Sequence, residues 1–505
     1  MGVTMRPLYS WLVVMVLTLS VPARDISVKN AAELKAAASS AVGGDVIRLA
    51  SGKYDDVKLR ITHNGTQGRP IQVVAAVPGE AILGGSSEID ISGAYVTIDG
   101  LYLLNGAIAA GGAERSVITF NSHHGVVRNT AIVDYNPAGF ETAYYWVFFN
   151  GSHNSVERCY FKGKNNLEPL IGNGLENAQY NSVVGCYFKN IPYDVGNGRE
   201  DIRVWGSGKF DEKTAEGAYF MIQGNLFDHA DGEGTEIISL KSNFNQVIGN
   251  TVRATRGGIN IRRGANNTVK NNIVLGEGVA GAHGLRMSGS NHVVQGNYVS
   301  GCDYGIRVSA GEFTGYALTP DYSPHEKNNA KTAKNALGIV TAYPQSKKLT
   351  LSGNTVVACD GPDLELGSDY KKHWPQEQMV LLPSDCDISG NRFVRPKGGL
   401  SVEVVAPESQ FASLASKSAP NRFTGNVVLG AKSKGAPSSG FKFEGLPSGW
   451  TEKREMGELH PLKPEDVGPP WVSTLRAAGK FEVEDDMSCS RDPGVKKAKK
   501  TKKQK

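Results

Sequence analysis

One short phrase recurs along this chain and limits what it can fold into. It reads FMIQGNLF at 220–227, NQVIGNTV at 245–252, NTVKNNIV at 267–274, HVVQGNYV at 292–299, LTLSGNTV at 349–356, CDISGNRF at 386–393 and NRFTGNVV at 421–428. Each copy alternates apolar residues at period two, turns at Gly-Asn or a variant of it, and starts a second short apolar run. The asparagines fall at Asn225, Asn250, Asn272, Asn297, Asn354, Asn391 and Asn426, the first four spaced by 25, 22 and 25 residues. SVERCYF and SVVGCYF carry the pattern upstream, with Cys159 and Cys186 in the asparagine's place, 27 residues apart. Strands this short cannot each bury a face alone. Stacked in parallel they enclose a continuous core, so the expected fold is all-β, a right-handed parallel β-helix. Asparagine suits the coil corner because it tolerates the left-handed conformation and can hydrogen-bond to the same corner one coil away. These asparagines therefore read as structure, and Cys159 and Cys186 as small core residues for which a disulfide stays open.

The ends agree with a solenoid, whose terminal coils must be covered. NAAELKAAASSAV at 30–42 offers an Asn N-cap with Glu three residues on, and reads as an N-terminal capping helix. Residues 1–23 read as a signal peptide: Arg6, the apolar LYSWLVVMVLTLS, then VPA ending at Ala23. That apolar run is short for a bilayer span, so the mature protein is expected to be secreted or periplasmic with no membrane span. The β-helix domain is expected over 24–475, irregular from about 430, with a long loop at 311–347 and a disordered basic tail at 476–505. The formal charge of +5 misleads, because the seven lysines of 494–505 and Arg6 exceed it and leave the body mildly acidic. That balance argues against a nucleic-acid partner, and any polyanion site must be a local cluster. The six cysteines include no CxxC and no zinc-like spacing with histidine.

Such a cluster exists. In TEIISLKSN (235–243), Lys241 lies 9 residues before Asn250, and in GINIRRGANN Arg262 lies 10 before Asn272. Their separation of 21 is close to one coil, so the two cations are expected side by side on strands ~4.8 Å apart. Arg286 and Arg307 follow near the same azimuth, His283 sits beside them, and Arg199 and Arg203 precede them in NGREDIRVWG. Stacked like charges repel, so a basic stripe held over several coils points to an anionic polymer lying along the axis. Glu233 and Glu236, just before Lys241, balance charge or hold a divalent cation through oxygen. Sharing one ion requires a bulge or turn at Gly234, since residues three apart in a strand lie ~10 Å apart on opposite faces. His123 and His124 read as a coil corner.

EIISLKS with GGINIRRG, together with NGTQGRPIQVVAA near the N-terminus and PLKPEDVGPPW near the C-terminus, resembles polysaccharide lyase family six, which holds alginate lyases and the dermatan-cleaving chondroitinase B. The resemblance implies β-elimination on a uronic-acid polymer, most readily alginate, with Lys241 as base and Arg262 as acid. It implies Ca2+ as cofactor, with Glu236 matching one ligand, Asn197 the family's asparagine ligand, and Glu233 one residue away from the usual second glutamate, whose position holds Gly234. Arg263 stands where the family has histidine. Arg203, Arg263, His283, Arg286 and Arg307 are the candidate substrate contacts. Chemically, the C5 proton beside a carboxylate becomes removable once that carboxylate is neutralised. An ordinary lysine, near ~10.4, is a poor base, and an adjacent arginine is expected to lower it. Arginine itself makes a poor outright acid, so a relayed water is an alternative proton source. Other readings are a dermatan or chondroitin lyase, a β-helix glycoside hydrolase, which needs paired carboxylates that the sequence does not offer on adjacent coils, and a non-catalytic polysaccharide binder.

Overall fold

The structure, a computed structural model, describes residues 22–477 apart from 110, 112–113, 176, 194–197, 207–214, 314–342, 372, 375–376 and 416–417. The expected signal peptide (all but its last two residues), the tail beyond 477, most of the 311–347 loop and Asn197 lie outside the described residues.

Each coil contributes one short strand to each of three long parallel sheets, of 14, 13 and 14 strands. One coil runs through Glu236–Lys241, Gln246–Ile248 and Thr251–Arg253, and the next begins with Gly257–Arg263. Period-two alternation sends one face of every strand inward. On the 13-stranded sheet, Ile202 and Val204, Ile238 and Leu240, Ile259 and Ile261, and Ile306 and Val308 are all at most 1% exposed. The chain is thus the right-handed parallel β-helix that the repeat predicts.

The corner asparagines form one continuous ladder. Asn225 donates Nδ2 to Oδ1 of Asn250 at 2.9 Å, and the same 2.9 Å bond links Asn250 to Asn272, Asn272 to Asn297, Asn297 to Asn354, Asn354 to Asn391 and Asn391 to Asn426. Each Oδ1 also accepts the backbone N–H of the preceding rung, as Asn272 does from Asn250 at 3.0 Å. Cys186 and Cys159 continue the column: the Cys186 N–H bonds Asn225 Oδ1 at 2.8 Å, and both thiols are free and buried. One detail departs from expectation. The left-handed residue is the one before the rung, Gly249 (φ 63°), Gly296 (φ 66°) or Asn271 (φ 54°), so the rung asparagine serves by its hydrogen bonds alone. A second ladder, not foreseen from the sequence, climbs the next corner through Asn154 and Asn181 and, beyond a rung taken by Phe220, through Asn245, Asn267 and His292. Outside it, Tyr95, His124, His153, Tyr180, Tyr219 and Phe244 stack ring on ring at 4.5–5.1 Å. His124 is therefore a corner residue, as read.

The helix Ala31–Ser39 covers the first coil, with the Asn30 side chain capping the Glu33 N–H at 2.9 Å and Leu34 fully buried. The irregular C-terminal part runs back along the third sheet. The Leu462 N–H bonds Thr251 Oγ1, the Gly468 N–H bonds the Gly185 carbonyl, and Trp471 Nε1 bonds the Asn129 carbonyl. Its last helix, Pro470–Ala477, packs Trp471 and Val472 against Tyr160 and Tyr187.

Candidate active site

The outward face of the 13-stranded sheet carries two adjacent rows. One aligns Gly172, Arg203, Ser239, Asn260, Arg286, Arg307, Glu365 and Glu403 in register; the other aligns Trp205, Lys241 and Arg263. Strict alternation would send Arg262 and Arg263 to opposite faces. The register slips by one residue between Leu240 and Lys241, so that Lys241 pairs with Arg263 and Arg262 becomes the extra residue of a bulge. Both arginines, with Lys241, Arg203, Trp205, Leu167, Glu168 and Gly198, then line one cleft of about 400 Å³. A second slip between Glu236 and Ile238 sends Ile237 into the core and leaves Glu236 bonded to the Ser239 hydroxyl.

Trp205 organises the cations. Lys241 Nζ and the Arg263 guanidinium each lie 4.9 Å from its ring centroid, and Arg203 lies at 5.5 Å, an arrangement that offsets part of their mutual repulsion. Lys241 is only 5% exposed and donates to Glu200 Oε1 at 2.7 Å. The isolated arginine neighbour expected for Lys241 is thus replaced by a carboxylate on one side and Arg263 on the other. Arg262 makes no ion pair among the described residues and lies over the Tyr343 ring at 4.8 Å. Burial, with Arg262 alongside, pulls the Arg263 guanidinium down to about 10.

Behind these cations, Glu200, Glu233 and Glu236 bring carboxylate oxygens within 4.8 Å of one another. Glu200 and Glu233 belong to successive coils, which corrects the expectation that no carboxylates meet on adjacent coils. Glu200 was not singled out from the sequence. The turn needed for Glu233 and Glu236 to converge is present: Gly234 has φ +75°, and its N–H bonds the Asp231 carbonyl at 2.7 Å. A Cβ on Gly234 would come within 2.3 Å of the Tyr193 ring, so the glutamate usual in the family has no room here. The carboxylates respond differently to crowding. Burial, then Glu200 and Glu236, push Glu233 up to about 7. Burial acts on Glu200 too, but Lys241 and Arg203 outweigh it and hold that carboxyl below its ordinary range. Glu200 Oε2 accepts no hydrogen bond among the described residues. Three carboxylates with oxygens in mutual reach fit a divalent cation's oxygen-ligand chemistry.

The remaining predicted residues separate. Arg203 joins the site, bonded to the Tyr145 hydroxyl at 2.6 Å and to Glu168 Oε2 at 2.9 Å. Arg286 and Arg307 lie further along Arg203's row, not that of Lys241, and both have counter-ions, Asp369 at 3.1 Å and Glu365 at 2.9 Å. His283 stacks on Tyr304 at 4.6 Å with Asp303 at 3.9 Å, away from the cleft lining. Arg199 is not on the stripe: it is 3% exposed and donates to the carbonyls of Asn166, Pro192, Gly232 and Lys164. It precedes the strand Ile202–Trp205, where alternation does not apply.

Comparison with known proteins follows the same line. The sequence profile of the Chondroitinase B family matches residues 28–307, and that of the right-handed β-helix region matches 236–442. A solved PL6 family polysaccharide lyase from Pseudopedobacter saltans is 37% identical over 88% of this chain and 99% of its own, with a TM-score of 0.78. A mannuronic acid specific polysaccharide family 6 lyase from human gut microbiota is 22% identical over 90% and 98% (TM-score 0.69), and a PL6 family alginate lyase is 21% identical over 88% and 58% (TM-score 0.72). At that identity, the latter two speak to the fold alone. No curated protein matches this chain in sequence. With the Chondroitinase B profile spanning more than half of its length and a 37% identical relative aligned almost end to end, the chain belongs to polysaccharide lyase family 6.

Proposed function

We propose that this protein cleaves a uronic-acid polymer, alginate before dermatan sulfate, by β-elimination, with Lys241 as base and Arg262 at the leaving oxygen. The observation that carries the reading is the convergence of Lys241, Arg262 and Arg263 on one cleft, made possible by the bulge at Arg262. The preference for alginate rests on the sequence resemblance to a family that holds alginate lyases, and the polymer comparison below tests it.

In this mechanism Arg203 and Arg263 draw the uronate carboxylate into the cleft and neutralise it, which acidifies the C5 proton. Lys241 removes that proton. Electrons move into the C4–C5 bond, and the 4-O-linked sugar leaves with its oxygen stabilised by Arg262, directly or through water. Glu200 orients the Lys241 amine. Glu200, Glu233 and Glu236 would hold a calcium ion, which supplies further positive charge for the substrate carboxylate. We place the enzyme in the periplasm or outside the cell, on the apolar run that ends near Ala23. Among the described residues no helix is long and apolar enough to cross a membrane.

One observation favours a second reading. Glu200 is held ionised while Glu233 is pushed up to about 7, the split seen in acid/base pairs of glycoside hydrolases. Against it, Glu200 is fully buried and already bound by Lys241. The test is to incubate the protein with polymannuronate, polyguluronate and dermatan sulfate, with EDTA or added Ca2+. Elimination creates an ultraviolet-absorbing C4–C5 double bond. An alginate block that yields it best supports the proposal. Full activity in EDTA removes calcium from the mechanism, and absence of the chromophore on all three polymers ends the lyase reading.

A further inference from the structure

We infer that the cleft is closed two coils before Lys241 by Tyr145 and Glu168, so that the enzyme works inward from a chain end and releases short products. The inference rests on the proposed cleavage of an anionic polymer and adds the mode of attack.

The closure is visible in the row that carries Arg203. In the preceding coil its position is Gly172, and a Cβ there would meet the Tyr145 ring at 2.4 Å. The absent side chain is what lets Tyr145 lie across the outward face and reach the Arg203 guanidinium with its hydroxyl at 2.6 Å. One coil earlier the row holds Phe148, which packs against Tyr145 and is 2% exposed although it is in register with outward residues. The face is therefore roofed where a continuing polymer would have to lie. Glu168 adds charge to the obstruction. Its carboxylate lines the cleft and pairs with Arg203, so a uronate passing that way meets an anion at close range.

This wall is anchored. Lys164, 2% exposed, donates to the carbonyls of Asn166, Leu167 and Glu168 at 2.9, 3.4 and 2.7 Å and to Asn166 Oδ1 at 2.9 Å. A buried amine so bonded to one loop fixes that loop's shape, because removing it strands several acceptors. Arg199 ties the same segment to the Gly232 turn through the carbonyls of Lys164, Asn166 and Gly232. In the opposite direction the row passes the uncharged Ser239 and Asn260 to Arg286 and Arg307, each with its counter-ion, before turning acidic at Glu365. Lys241 stands two strand spacings, ~10 Å, from the coil of Gly172 and at least as far from the open end. Room for about two sugar rings therefore remains between the base and the wall, while the rest of the polymer extends over Arg286 and Arg307.

The experiment follows viscosity, product size and new chain ends together on long alginate and dermatan sulfate, counting ends both by reducing sugar and by absorbance. Wild type should release its smallest product from the first time point while viscosity falls slowly. Glu168→Gly suits the left-handed backbone there (φ 74°) and should keep the fold. It should raise viscosity loss per cut several-fold and yield a ladder of intermediate sizes. Tyr145→Ala should act in the same direction if it folds. An early ladder with rapid viscosity loss in wild type overturns the inference, as does a Glu168→Gly product pattern identical to wild type. Cuts counted by reducing sugar without absorbance would sink the elimination reading and leave the wall standing, whereas no cut at all would sink both.

Discussion

In the corner column, Asn250 gives an Nδ2 hydrogen to Asn272 and accepts one from Asn225, so every rung satisfies the next. On the cleft face the same coil spacing brings Lys241 beside Arg263 and sets Arg286 against Arg307, and no member satisfies its neighbour. Each needs something else: a carboxylate for Lys241, Arg286 and Arg307, a Trp205 face for Lys241 and Arg263. Repetition stabilises when the repeated group is both donor and acceptor, and destabilises when it carries one sign of charge. The ladder is therefore where the fold is held, and the cationic face is where stability is given up for a ligand.

The contrast breaks first at Lys241. Lys241→Ala should lower the elimination rate by about 10²–10⁴-fold, and turnover near wild type would remove it as the base. At 5% exposure and bound to Glu200, its loss should also cost up to about 3 kcal/mol of stability, with Arg203 at 3.5 Å from Glu200 limiting the damage. Denaturant unfolding would measure it, and an unchanged midpoint would mean the pair contributes nothing net. Next, Arg262→Lys should reduce kcat by roughly 10²-fold with little change in stability, since a point charge cannot replace the planar fork. Wild-type kcat would make Arg262 a bystander.

The ladder should give the mirror image. Asn391→Ala removes the acceptor of the Asn354 backbone N–H and Nδ2. It should cost about 2 kcal/mol of stability and leave the folded enzyme's kcat/KM unchanged; a kcat/KM defect in folded protein would couple ladder and cleft. Smallest of all, Tyr180→Ala in the exposed aromatic stack should cost about 1 kcal/mol or less, and a larger loss would make the outer stack a second ladder.

What could be read in the sequence follows the same division. The Gly-Asn corner is legible because one chemical need recurs at each coil, and the meeting of Lys241 and Arg262 in one cleft because their spacing tracks that period. Glu200 escaped because its partner lies 41 residues away and its neighbours Arg199 and Asp201 are buried away from the cleft lining. The second ladder escaped because His292 takes over from asparagine and no glycine marks its rungs. The bulges are invisible to period-two counting, yet they decide that Arg262, Arg263 and Glu236 share a face. Gly234 was legible as a point where a turn was needed, and the structure supplies the turn together with the Tyr193 ring that excludes any larger residue.

The central claim, that this cationic cleft eliminates and does not hydrolyse, is tested most directly by weighing the products of a defined uronate oligomer. Elimination moves a proton and breaks a C–O bond without adding water, so the two fragments must sum to the mass of the starting oligomer. The account predicts that sum for every product pair, with the new double bond at the non-reducing end of the reducing-side fragment and the leaving oxygen kept by the other fragment as its new reducing end. Fragments that sum to the oligomer plus one water would show hydrolysis, and would move the chemistry from Lys241 to the carboxylates behind it.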